Sequence, residues 1–151
     1  HGLATVVLRP ANVYGPRQDA EGEGGVVAIF SRTLLSGGTP VIYGDGEQTR
    51  DFVYVGDVVA ACSAALAHDT PGPFNVATGV ETSINSLAAQ LQAIAGTKVA
   101  LAHAPAKAGE VRASSLSGER IRQELGWQPT VALEEGLRRT ISYFQQALYT
   151  Q

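Results

Sequence analysis

The chain has 151 residues, of which 44% are hydrophobic, and it carries a formal net charge of −3. This length and apolar content suit one globular domain with a real core, and they exclude a disordered chain. The slight acidity, with Lys98 and Lys107 as the only lysines, argues against nucleic acid or an anionic membrane as the main partner.

The first third of the chain predicts a strand, a loop and a helix. Residues Ala4–Leu8 are apolar and rich in β-branched side chains, which favours a buried strand of the parallel kind. Pro10 ends this run, and a long loop with an acidic, glycine-rich end follows over 12–25. Apolar residues at helical spacing then predict a helix from Val26 to about Gly37.

The middle of the chain predicts two further strands and a second helix. The strands are predicted over Val41–Tyr43 and Phe52–Val55. Asp57 is predicted to cap a helix over 58–68, because its carboxylate can accept the free amide hydrogens of the first turn. The Pro-Gly-Pro sequence at 71–73 then breaks the chain.

The next segment repeats the alternation of strand and helix. A short strand is predicted over Phe74–Ala77, followed by a helix from Ile84 that Ser83 caps and Gly96 ends. A strand is then predicted over Lys98–Ala102.

The last third predicts an irregular linker over 103–116 and two final helices over 118–125 and 133–148. Trp127 is interpreted as the residue that packs these two helices together. Strands and helices alternate throughout, so the sequence predicts an α/β protein with a single region over 1–151.

The single cysteine and the lengths of the apolar runs indicate the cellular compartment of the protein. Cys62 cannot form an internal disulfide, and it is interpreted as a buried packing residue. No apolar run approaches the roughly 20 residues that span a bilayer, and no signal-like segment is recognisable. We therefore predict a cytoplasmic protein without a membrane partner.

The run Tyr43–Phe52, with the sequence YGDGEQTRDF, is the strongest local signal. Gly44 and Gly46 favour a tight turn with positive φ, and Arg50 then lies where the turn enters a strand. Binding residues are common at such positions. The alternative is an ordinary hairpin turn that carries a solvated arginine.

Three separated segments together carry a family resemblance. They are LRPANVYGPRQ at 8–18, YGDGEQTRDFVYVGDVV at 43–59 and AGEVRASSLSGERIRQELGWQP at 108–129. In this order they resemble the C-terminal, substrate-binding half of an extended short-chain dehydrogenase/reductase. The most similar subgroup is the NAD-dependent nucleotide-sugar epimerases of the UDP-glucose 4-epimerase type. The resemblance implies the C-terminal part of a Rossmann-like fold.

Two motifs of that family are not found in the sequence. Its members bind NAD on an N-terminal glycine fingerprint and use a Tyr-x-x-x-Lys pair as acid/base. No tyrosine here has a lysine four positions later, and GEGGVVA at 22–28 follows an acidic loop rather than a strand. We therefore expect a fragment that lacks the NAD-binding half, has no catalytic residue and does not bind NAD tightly, although its complete parent would use NAD.

The resemblance also implies a set of substrate-binding residues. Asn12, Arg50 and Lys107 would meet the diphosphate, and Glu110 with Lys107 would meet phosphate and ribose. Val41 and Tyr43 would line the uracil pocket. Backbone groups of Gly25 and Val26 would face the nucleotide. A family arginine is replaced by Lys107, a point charge that cannot form a bidentate clamp.

Ordinary structural roles compete with each of these assignments. Asn12 could close an Asx turn, Gly25 and Val26 could be a simple helix entry, and Val41 and Tyr43 could be core residues. Lys107 and Glu110 could lie in a solvated loop. His1, His68 and His103 are not at metal-ligand spacing, so no metal site is predicted.

The function that the resemblance implies is the UDP-sugar-binding portion of an NAD-dependent sugar epimerase. The alternatives are a free-standing nucleotide-sugar binding module and part of a nucleotide-sugar dehydratase or reductase. The strand near the start would lack sheet neighbours, so we expect self-association or pairing with the missing half.

Overall fold

The computed structural model describes residues 5–21 and 24–149, so the predicted strand start at Ala4 lies outside the described residues. Over these residues strands and helices alternate, as predicted. Their bounds are β1 Val6–Pro10, β2 Asn12–Tyr14, α1 Val26–Leu35, β3 Val41–Tyr43, β4 Thr49–Tyr54, α2 Val55–Leu66, β5 Gly72–Val76, β6 Glu81–Ser83, α3 Ile84–Ala95, β7 Ala102–Ala104, β8 Ala113–Ser114, α4 Glu119–Leu125 and α5 Leu133–Tyr149.

Strand β4 is the centre of the largest sheet. It pairs in parallel with β2 and β8 and antiparallel with β6. Two further parallel pairs, β1 with β5 and β3 with β7, complete the sheets of the described chain. Mostly parallel pairing between strands that helices connect confirms the predicted α/β class.

The two faces of β2 and β4 support two separate cores. Tyr14 and Phe52 face the first core, which contains side chains of α1, α3 and α5. Val53 faces the second core, which contains side chains of α2, β5 and α4. Because strand side chains alternate between faces, Arg50 lies on the same side of β4 as Phe52.

The glycine turn and one helix cap confirm the sequence predictions. Gly44 and Gly46 both have φ of 76°, and Ser83 accepts a hydrogen bond from the Ser86 amide at 3.1 Å at the start of α3. Gly96 ends α3 in the left-handed region. The hairpin alternative is wrong, because β3 pairs with β7 while β4 pairs with other strands.

The predicted cap of α2 is wrong, because the helix begins at Val55 and Asp57 already lies within its first turn. The Asp57 carboxylate is buried and accepts hydrogen bonds from the Thr130 amide and hydroxyl and from the Val131 amide. Its three donors come from a loop more than 70 positions away, which local sequence patterns do not indicate.

Cys62 and Trp127 also differ from their predictions. Cys62 is exposed, because it lines an open depression beside Val6 and Leu8 of β1. Trp127 is buried in the second core with Ile121 and Leu125 of α4, and its Nε1 donates to the Asp57 carbonyl at 2.9 Å. It therefore packs α4 against the sheet and α2, whereas the buried residues of α5 belong to the first core.

Several observed strand boundaries differ from the predicted ones, because pairing with neighbouring strands determines where these strands begin and end. The predicted strand over 98–102 is found at Ala102–Ala104, where it pairs with β3. The predicted irregular linker contains β8, which pairs with the beginning of β4. Strand β4 itself begins at Thr49, so Arg50 and Asp51 lie within the strand rather than before it.

Candidate functional site

A cleft of about 280 Å³ forms between the turn after β3 and the loop that joins β7 to β8. The turn is held against α3 by Asn85, whose Nδ2 donates to the Asp45 carbonyl at 2.9 Å. A Cβ at Gly46 would overlap the Asn85 side chain, so the turn needs glycine there for space as well as for its φ. The residues that line the cleft are Tyr43, Gly44, Asp45, Gln48, Ala106, Lys107, Glu110, Val111 and Arg112.

Arg50 lies next to this cleft, where it contacts the lining residues Glu110 and Val111, and its side chain is 17% exposed. Its Nη1 donates to the carbonyls of Thr49 and Val111, each at 2.8 Å. Its Nη2 donates to Glu110 Oε1 at 3.2 Å. Among the described residues, the guanidinium Nε–H and one Nη2–H have no acceptor, so two donors of Arg50 remain for an oxyanion.

Glu110 meets Arg50 and Gln48 through one and the same oxygen. Besides the Arg50 ion pair, Glu110 Oε1 lies 3.4 Å from Gln48 Nε2. The Gln48 amide also donates to the Tyr43 carbonyl at 2.8 Å. Glu110 lies in an exposed loop, as the solvated-loop alternative expects, but its side chain is 26% exposed and contacts these two partners.

Tyr43 and Lys107 form the outer rim of the cleft. Lys107 Nζ lies 4.3 Å from the centroid of the Tyr43 ring, within the range of a cation–π interaction. Val41 and Tyr43 are each 42% exposed, while Ile42 between them is 1% exposed. The core alternative is therefore wrong for both, and β3 offers an aliphatic and an aromatic surface on its outer face.

An exposed ion pair closes one end of the cleft. Arg112 Nη1 lies 2.7 and 2.9 Å from the two carboxylate oxygens of Asp45. The hydrogen bond from Arg112 is the main reason that the pKa of Asp45 is below its usual value. The Thr49 amide donates to the Arg112 carbonyl at 2.9 Å, so the same residue also joins the loop to β4.

The remaining predicted site residues lie outside this cleft. Asn12 is exposed and pairs with Phe52 in the sheet register, so it shares a sheet face with Arg50, two residues earlier on β4. It lies in a strand, which makes the Asx-turn alternative wrong. Gly25 is the N-cap of α1 and Val26 is its first residue, so both lie at a helix entry.

The structure thus brings four of the eight predicted residues together: Tyr43, Lys107 and Glu110 line the cleft, and Arg50 is paired with Glu110 beside it. Val41 lies beside them on β3. Sequence reasoning did not single out Gln48 or Arg112. The i, i+2 spacing of Gln48 and Arg50 was a usable signal, because this spacing places two side chains on one face of a strand.

The rest of the described chain contains a larger depression but no metal-binding cluster. A larger depression, about 630 Å³, lies between β5 and α4 and shares no residue with the cleft. No cluster of three or more His, Cys, Asp or Glu residues that could hold a metal occurs within 5–21 and 24–149. Within the same ranges, none of the helices has the length and apolar character needed to cross a membrane.

The glycines before α1 do not fit a dinucleotide. A Cβ at Gly25 would overlap the Gln18 side chain, whose Nε2 donates to the Val13 carbonyl at 2.9 Å. The space beside Gly25 is therefore filled by this chain's own Gln18 side chain. In addition, β2 ends at Tyr14, well before the helix, so the strand, tight turn and helix of a dinucleotide fingerprint are not formed here.

Solved structures with the same fold define the class of protein. A UDP-glucose 4-epimerase of Thermotoga maritima, solved with UDP-glucose, has a TM-score of 0.95 and 47% identity, over 97% of this chain and 48% of the other. The UDP-glucose 4-epimerase of Thermus thermophilus, solved with NAD, has a TM-score of 0.87 and 40% identity, over 97% and 48%. The fold is therefore that of the Rossmann-like short-chain dehydrogenases/reductases.

The sequence comparisons identify the family within this class. A UDP-glucose 4-epimerase of Mycolicibacterium smegmatis is 49% identical over 139 residues, which are 91% of this chain and 44% of the relative. The model of the NAD dependent epimerase/dehydratase family matches residues 1–77. The chain belongs to this family, as its motifs indicated, and it spans about half the length of the curated relatives it matches.

Proposed function

We propose that this chain is the nucleotide-sugar binding portion of an NAD-dependent sugar epimerase of the UDP-glucose 4-epimerase type. The observation that carries the proposal is the meeting of Arg50, Lys107, Glu110 and Tyr43 around one cleft. The two cations would meet a diphosphate, the carboxylate a ribose, and the exposed face of β3 a uracil ring. UDP-glucose is present in one of the solved relatives.

Each role follows from the chemistry of the side chain. The two unused donors of Arg50 suit phosphate oxygens, because a guanidinium forms strong, charge-assisted hydrogen bonds to an oxyanion. Lys107 adds a point charge, and its contact with the Tyr43 ring keeps the ammonium at the rim. Asn12, on the same sheet face as Arg50, would extend the polar surface toward the diphosphate, and Gly25 and Val26 would present backbone groups at the start of α1.

We propose that the chain supplies substrate binding and that the redox step belongs to another part of the protein. No tyrosine in the sequence is followed by a lysine at the fourth position, so the acid/base pair of the family is not found within these 151 residues. NAD would be bound by that other part, which would also contain the acid/base pair. We expect no turnover of UDP-glucose by this chain with NAD alone, and measurable epimerisation would overturn this division of roles.

The binding role is tested by calorimetry with UDP on the chain and on Arg50→Gln. We expect the substitution to weaken UDP binding by about 1.5 to 3 kcal/mol, the usual contribution of a hydrogen bond to a charged group. Arg138→Gln is the matched control, because Arg138 forms an exposed ion pair with Glu134 on α5. Equal UDP affinity in all three proteins would contradict the proposal.

The same UDP titration also distinguishes two hypotheses: that the chain is part of an enzyme, and that it is a free-standing binding module. Every residue assigned to the substrate lies in this chain, so tight UDP binding without any further chain would favour the module. Weak binding that strengthens when an N-terminal half of a relative is added would favour a site shared between two halves. A dehydratase or reductase would bind UDP in the same cleft and would be distinguished by its product.

A further inference from the structure

Gln48 is a buried amide in the middle of the cleft, with 6% of its surface exposed. A buried polar side chain is stable only where its hydrogen bonds are formed. The Gln48 Nε2 has two hydrogens, and its two acceptors are the Tyr43 carbonyl at 2.8 Å and Glu110 Oε1 at 3.4 Å. Gln48 therefore connects the end of β3 to the loop that carries Glu110.

The Gln48 amide contacts only one of the two carboxylate oxygens of Glu110. Oε1 receives both Gln48 Nε2 and Arg50 Nη2, while Oε2 has no hydrogen-bond partner among the described residues. With Oε1 held by two donors, the carboxylate cannot rotate without losing both. Oε2 is left as a fixed acceptor in a group that lines the cleft.

Gln48 is also electrically neutral, which matters for Arg50. A lysine at this position would compete with Arg50 for the carboxylate, and a glutamate would repel it. The amide holds Glu110 without changing the charge of the Arg50–Glu110 pair, so Arg50 retains its unused donors for an anion.

We infer that Gln48 is a positioning residue that fixes Glu110 so that its Oε2 accepts a hydroxyl of the ribose in a nucleoside diphosphate. This inference rests on the proposed function, because it assigns the ribose to Glu110. Its consequence is selectivity. The cleft should prefer a ribonucleotide over an analogue without the hydroxyl, since that analogue leaves a held carboxylate oxygen without its donor.

The test compares the affinities of UDP, 2′-deoxy-UDP and 3′-deoxy-UDP for the chain and for Gln48→Met. Methionine keeps the length and the unbranched shape of the side chain and removes both donors. For the unsubstituted chain we expect at least one deoxy analogue to bind about tenfold more weakly than UDP. In Gln48→Met we expect this ratio to fall toward one, mainly through weaker binding of UDP.

A purely structural role for Gln48 gives a different result. If the amide only stabilises the turn after β3, Gln48→Met weakens all three ligands by one factor and leaves their ratio unchanged, which would overturn the inference. The matched control is Gln123→Met, because Gln123 Nε2 donates to Glu119 Oε1 at 3.0 Å on the exposed face of α4. This control removes the same kind of amide–carboxylate bond and should leave all affinities unchanged.

A second pair of variants decides the matter if Gln48→Met does not fold. Gln48→Asn keeps the amide but is one methylene too short to reach Glu110, so it should lose the ribose preference as well. Added to Glu110→Gln, Gln48→Asn should cause no further loss of preference, because the two residues act through one contact. Additive losses would overturn the inference.

The outcomes also separate the inference from the proposed function. If the chain binds UDP but does not distinguish it from either deoxy analogue, the inference is wrong and the proposed function stands. If it binds none of the three ligands even when an N-terminal half of a relative is added, the proposed function fails, and the assignment of Gln48 fails with it.

Discussion

At the scale of single residues, the Asp45–Arg112 pair gives the cleft a dependence on pH. Hydrogen bonding from Arg112 lowers the pKa of Asp45, so the folded chain holds this carboxylate in its charged form more strongly than the unfolded chain does. The resulting stabilisation is present above the unfolded pKa of about 4 and is lost as pH falls through the lower folded value. The pair is exposed, so its effect on stability is small.

We expect Arg112→Gln to raise the pKa of Asp45 toward its ordinary range, because it removes the largest cause of the lowering. An NMR titration of the side-chain carboxyl carbon measures this directly, and the lower pKa in the unsubstituted chain should rise toward that range at high salt as well. Arg138→Gln, on α5, should leave the Asp45 titration unchanged. An unchanged Asp45 pKa in Arg112→Gln would show that the ion pair is not formed in solution.

At the scale of secondary-structure elements, a buried carboxylate fixes β4 to the turn before β6. Asp51 is fully buried and accepts hydrogen bonds from the Thr78 amide at 3.0 Å, the Thr78 hydroxyl at 2.6 Å and the Gly79 amide at 2.9 Å. The neighbouring Arg50 depends on the position of β4, so this anchor also holds the cleft in place.

Asp51→Asn should destabilise the chain by about 1 to 3 kcal/mol, because an amide cannot accept at both of its ends and leaves a buried N–H without an acceptor. Urea denaturation measures the free energy of unfolding. Asp69→Asn is the control, since Asp69 is exposed and should change the value by less than about 0.5 kcal/mol. Equal stability of the two variants would contradict the anchoring role.

The sequence predicted those elements whose boundaries are set locally. The start of α3 at Ser83 and its end at Gly96 follow from capping chemistry that involves neighbouring residues only. Strands β7 and β8 were misplaced or missed, because pairing with β3 and β4 defines them rather than their own composition. Asp57 was misassigned for the same reason, since its partners lie in a distant loop.

The same distinction holds for the cleft. The resemblance to a family selected Arg50, Lys107 and Glu110, but spacing alone does not show that residues 60 positions apart form an ion pair. The sequence also did not indicate that Arg50 donates to two carbonyls, which depends on the course of the loop beside β4. Gln48 was missed because its i, i+2 spacing from Arg50 does not show which groups its amide contacts in the fold.

At the scale of the whole molecule, β1 has one free edge. It pairs in parallel with β5 from Val6–Gly72 to Pro10–Val76, and no other strand of the described chain pairs with it. Val7 on this strand is 51% exposed, and a depression of about 440 Å³ lined by Val6 and Leu8 lies alongside. An open strand edge beside apolar surface favours association with another chain.

We expect the chain to self-associate through this edge, and Val7→Lys to reduce the association, because a lysine on an edge strand opposes pairing. Light scattering over a range of concentrations gives the mass of the species in solution. Val59→Lys is the matched control, since Val59 is 61% exposed on α2 and lies on no strand edge. A monomer at all concentrations, or an equal effect of the two lysines, would show that β1 is not the contact. If the proposed function is correct, an N-terminal half added to the chain should compete with self-association, because both would use the same edge.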